Sequence, residues 1–218
     1  MKKFIAMACC LGLFFATGCG ADTQRMPELR PAPRVACVGD SITQGYGGHS
    51  YVTLLDESKP WVMGNFGVCG TTALFQNAPA YRDTDLYKES LRWKPDVVVL
   101  MLGTNDTAYW QGKETFADNY EALVDTYLTV TPHVLLCTPL APDPDVIDNG
   151  HGIESTNYGV ICDVIHAIAD KKGLPVSDVY ARTHSDAVTL ADGVHPNAHG
   201  AQLIADTVAL SLEEEHWV

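Results

Sequence analysis

Residues 34–45 are Arg-Val-Ala-Cys-Val-Gly-Asp-Ser-Ile-Thr-Gln-Gly, an apolar run that ends in a glycine, an acid and a serine. The β-branched run Val35–Val38 is typical of a strand buried on both faces of a parallel sheet. Ser41 follows this strand directly, so we expect it on a tight turn with its hydroxyl exposed near a helix start. Such a serine is an activatable nucleophile or an ordinary helix N-cap, and the motif alone favours neither.

Outward from this stretch, further apolar runs alternate with amphipathic segments. The runs are Trp61–Val68, Val97–Leu102, Val134–Cys137 and Pro175–Val179. Helices are expected over 50–59 and 84–93, through Phe116, Tyr120, Leu123 and Tyr127, through Tyr158, Ile161, Ile165 and Ile168, and from an N-cap at Asn197 through Leu203, Ile204 and Val208. This alternation predicts one α/β domain with right-handed crossovers and three layers.

In such a sheet the loops that bind ligands and carry functional residues lie beyond the carboxyl ends of the strands. Gly70 closes the second strand region, where a glycine lets the backbone approach a ligand and offer its N–H. Asn105, after the third strand, can present its amide to an oxyanion or form an Asx-turn. Asp192 precedes His195 by three residues on a turn, and can orient the imidazole towards a serine. Each signal is weak, but all of them fall in order on one edge of the predicted sheet.

Together these blocks resemble the SGNH (GDSL-type) hydrolase family: Gly39-Asp40-Ser41, Gly70, Gly103-x-Asn105-Asp106 and Asp192-x-x-His195. The resemblance covers most of the chain. It implies a flavodoxin-like three-layer α/β/α sandwich with a five-stranded parallel sheet, and ester hydrolysis through an acyl-enzyme. Ser41 would be the nucleophile, His195 its base and Asp192 the residue that stabilises the imidazolium. The N–H groups of Ser41 and Gly70 and the amide of Asn105 would form the oxyanion hole, and neither a metal nor an organic cofactor is expected.

The substrate is indicated by aromatic residues near these blocks. Tyr109 and Trp110 follow the expected oxyanion residue, and the run is similar to that of bacterial carbohydrate O-acetylesterases of this family. Tyr46 is placed to line the same cleft. Aromatic faces suit stacking on sugar rings. Packing of these aromatic residues within their own loop is an equally good interpretation. The loop 141–153 is mainly proline, acid and glycine, which favours short acyl groups over the fatty acyl groups of a lysophospholipase or acyl-thioesterase.

Other readings of the same residues are weaker. A flavodoxin-like FMN-binding module would explain a polar loop after the first strand but not Asn105 or the Asp192–His195 pair. A carbohydrate-binding protein that descends from an esterase but has lost catalysis would not need the intact set of Ser41, Asn105, Asp192 and His195. A zinc pair of His195 and His199 lacks the usual glutamate, and the acids Asp143, Asp145 and Asp148 lack the spacing of a calcium loop.

The N-terminus has the pattern of an export signal. Lys2 and Lys3 precede the apolar run 4–15, and Ala16-Thr17-Gly18-Cys19 resembles the lipobox of bacterial lipoproteins. We therefore expect a signal peptide over 1–18, lipidation at Cys19, a tether over 19–33 and the hydrolase domain over 34–218. The expected location is the bacterial cell envelope, with an N-terminal lipid anchor as the membrane contact.

Charge and cysteine content add two expectations. The formal net charge of -13 argues against a nucleic-acid partner, because a phosphate backbone repels such a surface. A glycan or small-molecule ester is the expected partner instead. The domain cysteines Cys37, Cys69, Cys137 and Cys162 are expected to be mostly buried thiols, with one disulfide left open because export permits it.

Overall fold

A computed structural model describes residues 31–143, 152–153, 155–184, 188–190 and 192–218, and five strands in this part form one parallel sheet. The strands are β1 (Arg34–Gly39), β2 (Val62–Gly67), β3 (Val97–Met101), β4 (Val134–Cys137) and β5 (Val176–Ser177), in the order β2-β1-β3-β4-β5. The expected five-stranded parallel sheet is confirmed.

Helices occupy the segments between the strands and the segment after β5. They are α1 (Ser41–Gln44), α2 (Tyr51–Ser58), α3 (Asp85–Arg92), α4 (Lys113–Leu128), α5 (Tyr158–Lys172), α6 (Val179–Thr183) and α7 (Ala198–Glu214). Several begin at side chains that accept a hydrogen bond from the first turn, including Ser50, Thr84 and Asn197. The expected N-cap at Asn197 is therefore confirmed.

Alternate residues along the central strands face two separate hydrophobic clusters. Val35, Cys37, Val97 and Val99 pack with α2 and α7, whereas Ala36, Val38, Val98 and Leu100 pack with α4 and α5. Because successive side chains of a strand point to opposite faces, a sheet buried on both sides needs apolar residues at every position. The continuous apolar runs thus produce the three-layer α/β/α sandwich.

The last strand is shorter than the run that predicted it. The run Pro175–Val179 was expected to be a strand, but β5 spans only Val176–Ser177. The Asp178 side chain accepts a hydrogen bond from the N–H of Ala181 and so begins α6 at Val179. A strong N-cap therefore competes with the β-branched pattern and ends the strand.

The four domain cysteines are free thiols, with Cys69 exposed and the other three buried. Within the described residues, no helix is long and apolar enough to cross a membrane. The signal peptide, Cys19 and nearly all of the tether lie outside the described residues.

The end of β2 docks against α1 without space for a side chain. The N–H₂ of Asn65 donates to the carbonyl of Thr43 over 2.9 Å, and a Cβ added at Gly67 would lie 2.2 Å from the backbone nitrogen of Gln44. Since the obstructing atom belongs to the backbone, only a shift of α1 away from β2 could relieve the contact.

We therefore expect Gly67→Ala to lower the free energy of unfolding by about 2 kcal/mol or more, as overpacking in a core does. Urea denaturation followed by circular dichroism measures this change. Gly159→Ala is the matched control, because a Cβ at Gly159 in α5 meets no atom within 4 Å and alanine is the better helix former. Equal stability of the two variants would contradict the close approach of β2 and α1.

Candidate active site

Ser41 lies at the carboxyl end of β1, on a turn that only a glycine permits. A Cβ at Gly39 would lie 2.2 Å from Oγ1 of Thr43 and 2.5 Å from the carbonyl oxygen of Met101. Asp40 follows and caps α1, since its Oδ1 accepts from the N–H of Ile42 over 2.9 Å. The cap of this helix is therefore Asp40, and the hydroxyl of Ser41 is left for another partner.

That partner is His195, from the loop before α7. Its Nε2 lies 2.9 Å from Oγ of Ser41, and its Nδ1 lies 2.8 Å from Oδ2 of Asp192. An ionised carboxylate only accepts, so Nδ1 carries the proton and Nε2 is left to accept from the serine hydroxyl. The three side chains form one continuous line of hydrogen bonds, with Ser41 and His195 only 3% and 4% exposed.

The Asp192 carboxylate is held by its own turn. Its Oδ1 accepts from the N–H groups of Val194 and His195, each over 3.0 Å. Partial burial raises the pKa of Asp192, but these hydrogen bonds and the contact with the imidazole outweigh it, so the net shift is below the ordinary value. The carboxyl is consequently ionised at neutral pH, as an acceptor for Nδ1–H must be.

A short antiparallel bridge fixes the histidine turn to the rest of the domain. Thr189 pairs with Pro196, and the N–H of Leu190 donates to the carbonyl of His195 over 2.7 Å. From the other side, the N–H of Asp143 donates to the carbonyl of Gly193 over 2.8 Å. The Asp-x-x-His motif does not predict these hydrogen bonds, because they join the turn to segments that are distant in sequence or have no regular secondary structure.

Gly70 and Asn105 lie on the loops after β2 and β3, the two neighbours of β1 in the sheet. Gly70 has a φ of +75°, and a Cβ there would meet no atom within 4 Å, so its outer side is open. Among the hydrogen bonds of the described residues, its N–H donates to none. The amide of Asn105 donates one N–H to the carbonyl of Thr71 over 2.9 Å, which leaves its second N–H for a ligand.

Two carboxyl groups of the site, Asp40 and Asp106, are buried, and the sequence predicts no role for either. Asp106 accepts from the N–H groups of Ala73 and Leu74, over 3.1 and 2.9 Å, and so fixes the loop that follows Gly70. Burial raises the pKa of Asp106 to about 6, although these bonds oppose the rise. Burial likewise raises the pKa of Asp40 to about 7, and the neighbouring Asp106 adds to this effect.

The aromatic residues proposed for substrate binding occupy different environments. Tyr46 is 48% exposed, and its ring centroid lies 4.2 Å from that of His195. Tyr109 is 42% exposed. Trp110 is half-buried and packs near Phe116, with ring centroids 6.0 Å apart. Trp110 thus serves at least in part to pack its own loop.

Within the described part of the chain, no group of three or more histidine, cysteine, aspartate or glutamate side chains is arranged to hold a metal ion. His199 lies in the first turn of α7. Asp145 and Asp148, from the loop considered for calcium, lie outside the described residues.

The raised pKa values of Asp40 and Asp106 predict a pH-dependent stability. For each acid the folded pKa exceeds the unfolded value, so between 3.8 and about 6 or 7 the folded state binds more protons. The free energy of unfolding therefore falls as pH rises through this window, by about 1.4 kcal/mol per pH unit for each extra proton bound. Asp40→Asn keeps an N-cap but removes one titrating group.

We expect the loss of stability between pH 5 and pH 8, measured by urea denaturation, to be smaller in Asp40→Asn than in the wild type. Asp118→Asn removes an exposed carboxylate of α4 and is expected to keep the wild-type pH dependence. An unchanged pH dependence in Asp40→Asn would show that its carboxyl does not titrate in this window.

Known proteins resemble this chain in sequence and in fold. The sequence profile of the GDSL-like lipase/acylhydrolase family matches residues 37–203. An acetylxylan esterase of Xylanibacter ruminicola is 31% identical over an alignment of 218 positions, which covers 84% of this chain and 45% of that protein. The chain thus spans less than half the length of this curated relative.

Two solved structures share the fold. A lipase/acylhydrolase from Enterococcus faecalis superposes with a TM-score of 0.68 at 23% identity, over 84% of this chain and 96% of that one. A catalytic mutant of an acetylxylan esterase from Geobacillus stearothermophilus gives 0.62 at 21% identity, over 85% and 96%. With the profile match across most of its length, the chain belongs to the GDSL-like lipase/acylhydrolase family.

Proposed function

We propose that this chain is a serine esterase that removes short acyl groups, chiefly acetyl, from carbohydrate esters through an acyl-enzyme intermediate. The observation that carries the proposal is the continuous hydrogen-bonded line from Ser41 through His195 to Asp192. A flavodoxin-like binding module has no need of such a line, and this geometry favours catalysis over that alternative.

In the first half of the reaction, His195 Nε2 accepts the proton of Ser41 as Oγ attacks the ester carbonyl carbon. The tetrahedral intermediate collapses when the imidazolium returns the proton to the alcohol oxygen, which leaves as the free sugar hydroxyl. Water then attacks the acyl carbon and gives a proton to Nε2. The imidazolium passes this proton to Oγ of Ser41 as the acyl–Oγ bond breaks and the carboxylic acid leaves. Asp192 keeps the imidazole in the required tautomer and stabilises its charged form throughout.

The oxyanion hole would consist of the N–H of Gly70, the free N–H of Asn105 and the N–H of Ser41. The first two lie on the loops after β2 and β3, which Asp106 and the Asn105–Thr71 hydrogen bond hold together. Such donors are already in place when charge develops, and loss of one typically raises the barrier by about 3 kcal/mol.

Acetylated carbohydrate is supported as the substrate by two features. The curated relative at 31% identity is an acetylxylan esterase, and Tyr46 and Tyr109 are large, exposed aromatics on loops that also carry site residues. Aromatic faces of this kind suit the apolar faces of sugar rings. Trp110, being packed near Phe116, has a smaller surface to offer.

The test is hydrolysis of p-nitrophenyl acetate, butyrate and octanoate, followed by release of acetate from acetylated xylan. We expect acetate to be the preferred ester, and Ser41→Ala to lower kcat by at least about a thousandfold while the fold is kept. A preference for octanoate would contradict the short-acyl proposal and favour a lysophospholipase or acyl-thioesterase. No turnover of any ester by the folded protein would contradict the esterase proposal itself.

Ser50→Ala is the matched control for Ser41→Ala. Ser50 is a true helix cap, since its Oγ accepts from the N–H of Thr53. Its loss should cost about 1 kcal/mol of stability and leave kcat unchanged. Ser41→Ala is expected to show the opposite pattern, because Asp40 and not Ser41 caps α1.

We also propose that residues 1–18 are a lipoprotein signal peptide and that Cys19 carries the lipid anchor, which would place the domain at the bacterial cell envelope. The support is the basic start, the apolar run and the small residues before Cys19. The tether that follows is polar and rich in proline, as a spacer between anchor and domain would be.

Expression of the full chain in bacteria fed radiolabelled palmitate checks this anchor. The wild type and the control Cys10→Ser are expected to incorporate label, and Cys19→Ser is expected to lose it. Label that persists in Cys19→Ser, or that is absent from the wild type, would contradict lipidation at this cysteine.

A further inference from the structure

The imidazole of His195 is covered on one face by the ring of Tyr46. The two ring centroids are 4.2 Å apart and the ring planes are inclined by 36°. Tyr46 begins a short 3-10 turn, Tyr46–Gly48, which follows the nucleophile helix α1. The loop that leaves the nucleophile therefore returns to contact its base.

The conformation of this loop depends on glycine. Gly45, Gly47 and Gly48 have φ values of +94°, +76° and +86°, a region that other residues seldom adopt. A Cβ at Gly47 would lie 2.6 Å from Cδ1 of Leu190. The loop thus packs on Leu190, whose N–H donates to the carbonyl of His195, as well as on the imidazole.

The hydrogen bonds of His195 leave one degree of freedom for this contact to restrict. The bonds at Nδ1 and Nε2 both lie near the plane of the ring, so rotation about the line that joins Asp192 to Ser41 changes their lengths little. Such rotation instead turns both bonds away from the directions in which the Asp192 and Ser41 oxygens favour hydrogen bonding. Packing against the face of the ring opposes such rotation.

Charge on the imidazole gives the contact a second consequence. His195 gains a positive charge as it accepts the proton of Ser41, and an aromatic face within about 6 Å attracts a cation. An interaction that is stronger in the transition state than in the free enzyme accelerates the chemical step rather than substrate binding.

We propose that Tyr46 is a positioning residue for His195: its ring holds the imidazole in the orientation that faces Ser41 and stabilises the imidazolium formed during acyl transfer. This inference rests on the proposed esterase function and goes beyond the binding of sugar expected of Tyr46 from the sequence. The two roles differ in what they demand of the substrate, since positioning acts on every ester and sugar binding acts only on a carbohydrate.

The kinetic test uses p-nitrophenyl acetate, which has no sugar, with Tyr46→Phe, Tyr46→Leu and Tyr46→Ala. We expect Tyr46→Ala to lower kcat about tenfold with KM changed less than about twofold. Tyr46→Phe keeps the aromatic face and should restore kcat to within about twofold of the wild type, and Tyr46→Leu should lie between. Tyr46 is half exposed on a loop, so these variants are expected to fold.

Three results would overturn the proposal. One is wild-type kcat on p-nitrophenyl acetate in Tyr46→Ala, combined with a raised KM for acetylated xylan, which would assign Tyr46 to sugar binding alone. Another is a raised KM for p-nitrophenyl acetate with kcat unchanged. The third is failure of Tyr46→Phe to restore kcat, which would assign the effect to the hydroxyl.

An NMR measurement tests the contact between Tyr46 and His195 independently of the esterase proposal. The ring protons of His195 are observed by NMR in histidine-labelled protein and assigned by their absence from His195→Gln. The ring current of Tyr46 should displace them in the wild type and in Tyr46→Phe, and not in Tyr46→Ala. Identical resonances in the wild type and Tyr46→Ala would refute the contact. A wild type without ester turnover would refute the esterase function instead, whatever the resonances show.

Discussion

The hydrogen bond between Ser41 and His195 joins residues that are 154 positions apart, and much of the domain can be understood as the means of keeping it at 2.9 Å. Ser41 stands at the end of β1, near the middle of the sheet, whereas His195 lies on the loop that leads into α7. Helix α7 packs on the same face of the sheet as α2. A bond of this kind tolerates little error in distance or angle, so the rigidity of the sheet and the packing of α7 become conditions for the chemistry.

The site also explains where the fold carries unfavourable interactions. Asp40 and Asp106 are carboxyl groups buried without a cationic partner among the described residues, and burial raises the pKa of each. Both nonetheless accept backbone N–H bonds at the turns that carry Ser41 and follow Gly70. Buried backbone donors need partners, and a short side-chain acceptor meets that need where the turns leave no regular ladder. The two buried carboxyl groups therefore fix the turns but lower the free energy of unfolding at neutral pH.

The sequence predicted the architecture well because its signals are local and repeated. Continuous apolar runs identified the strands, and amphipathic segments identified α2 and, with Asn197 as its cap, α7. The pattern failed at β5, where Asp178 begins a helix inside an apolar run, and it missed the support of the histidine turn by Leu190. Contacts between segments that are distant in sequence produce no periodic pattern of residue types. The same holds for Tyr46, whose place on His195 follows from three glycines with positive φ rather than from its neighbours in sequence.

The contrast between Asn105 and Tyr46 shows two ways in which the loops hold working groups. Asn105 is fixed by a hydrogen bond to Thr71, so one N–H is committed and the other points in a set direction before any substrate arrives. Tyr46 is fixed by packing, on a loop that glycines shape. A donor to an oxyanion must be preorganised, because reorientation during reaction would cost the energy that it supplies. In the proposed mechanism the imidazole, in contrast, exchanges protons with Ser41, with the departing alcohol and with water. The packing of Tyr46 on the face of the imidazole restricts the orientation of the ring without forming a hydrogen bond to either nitrogen.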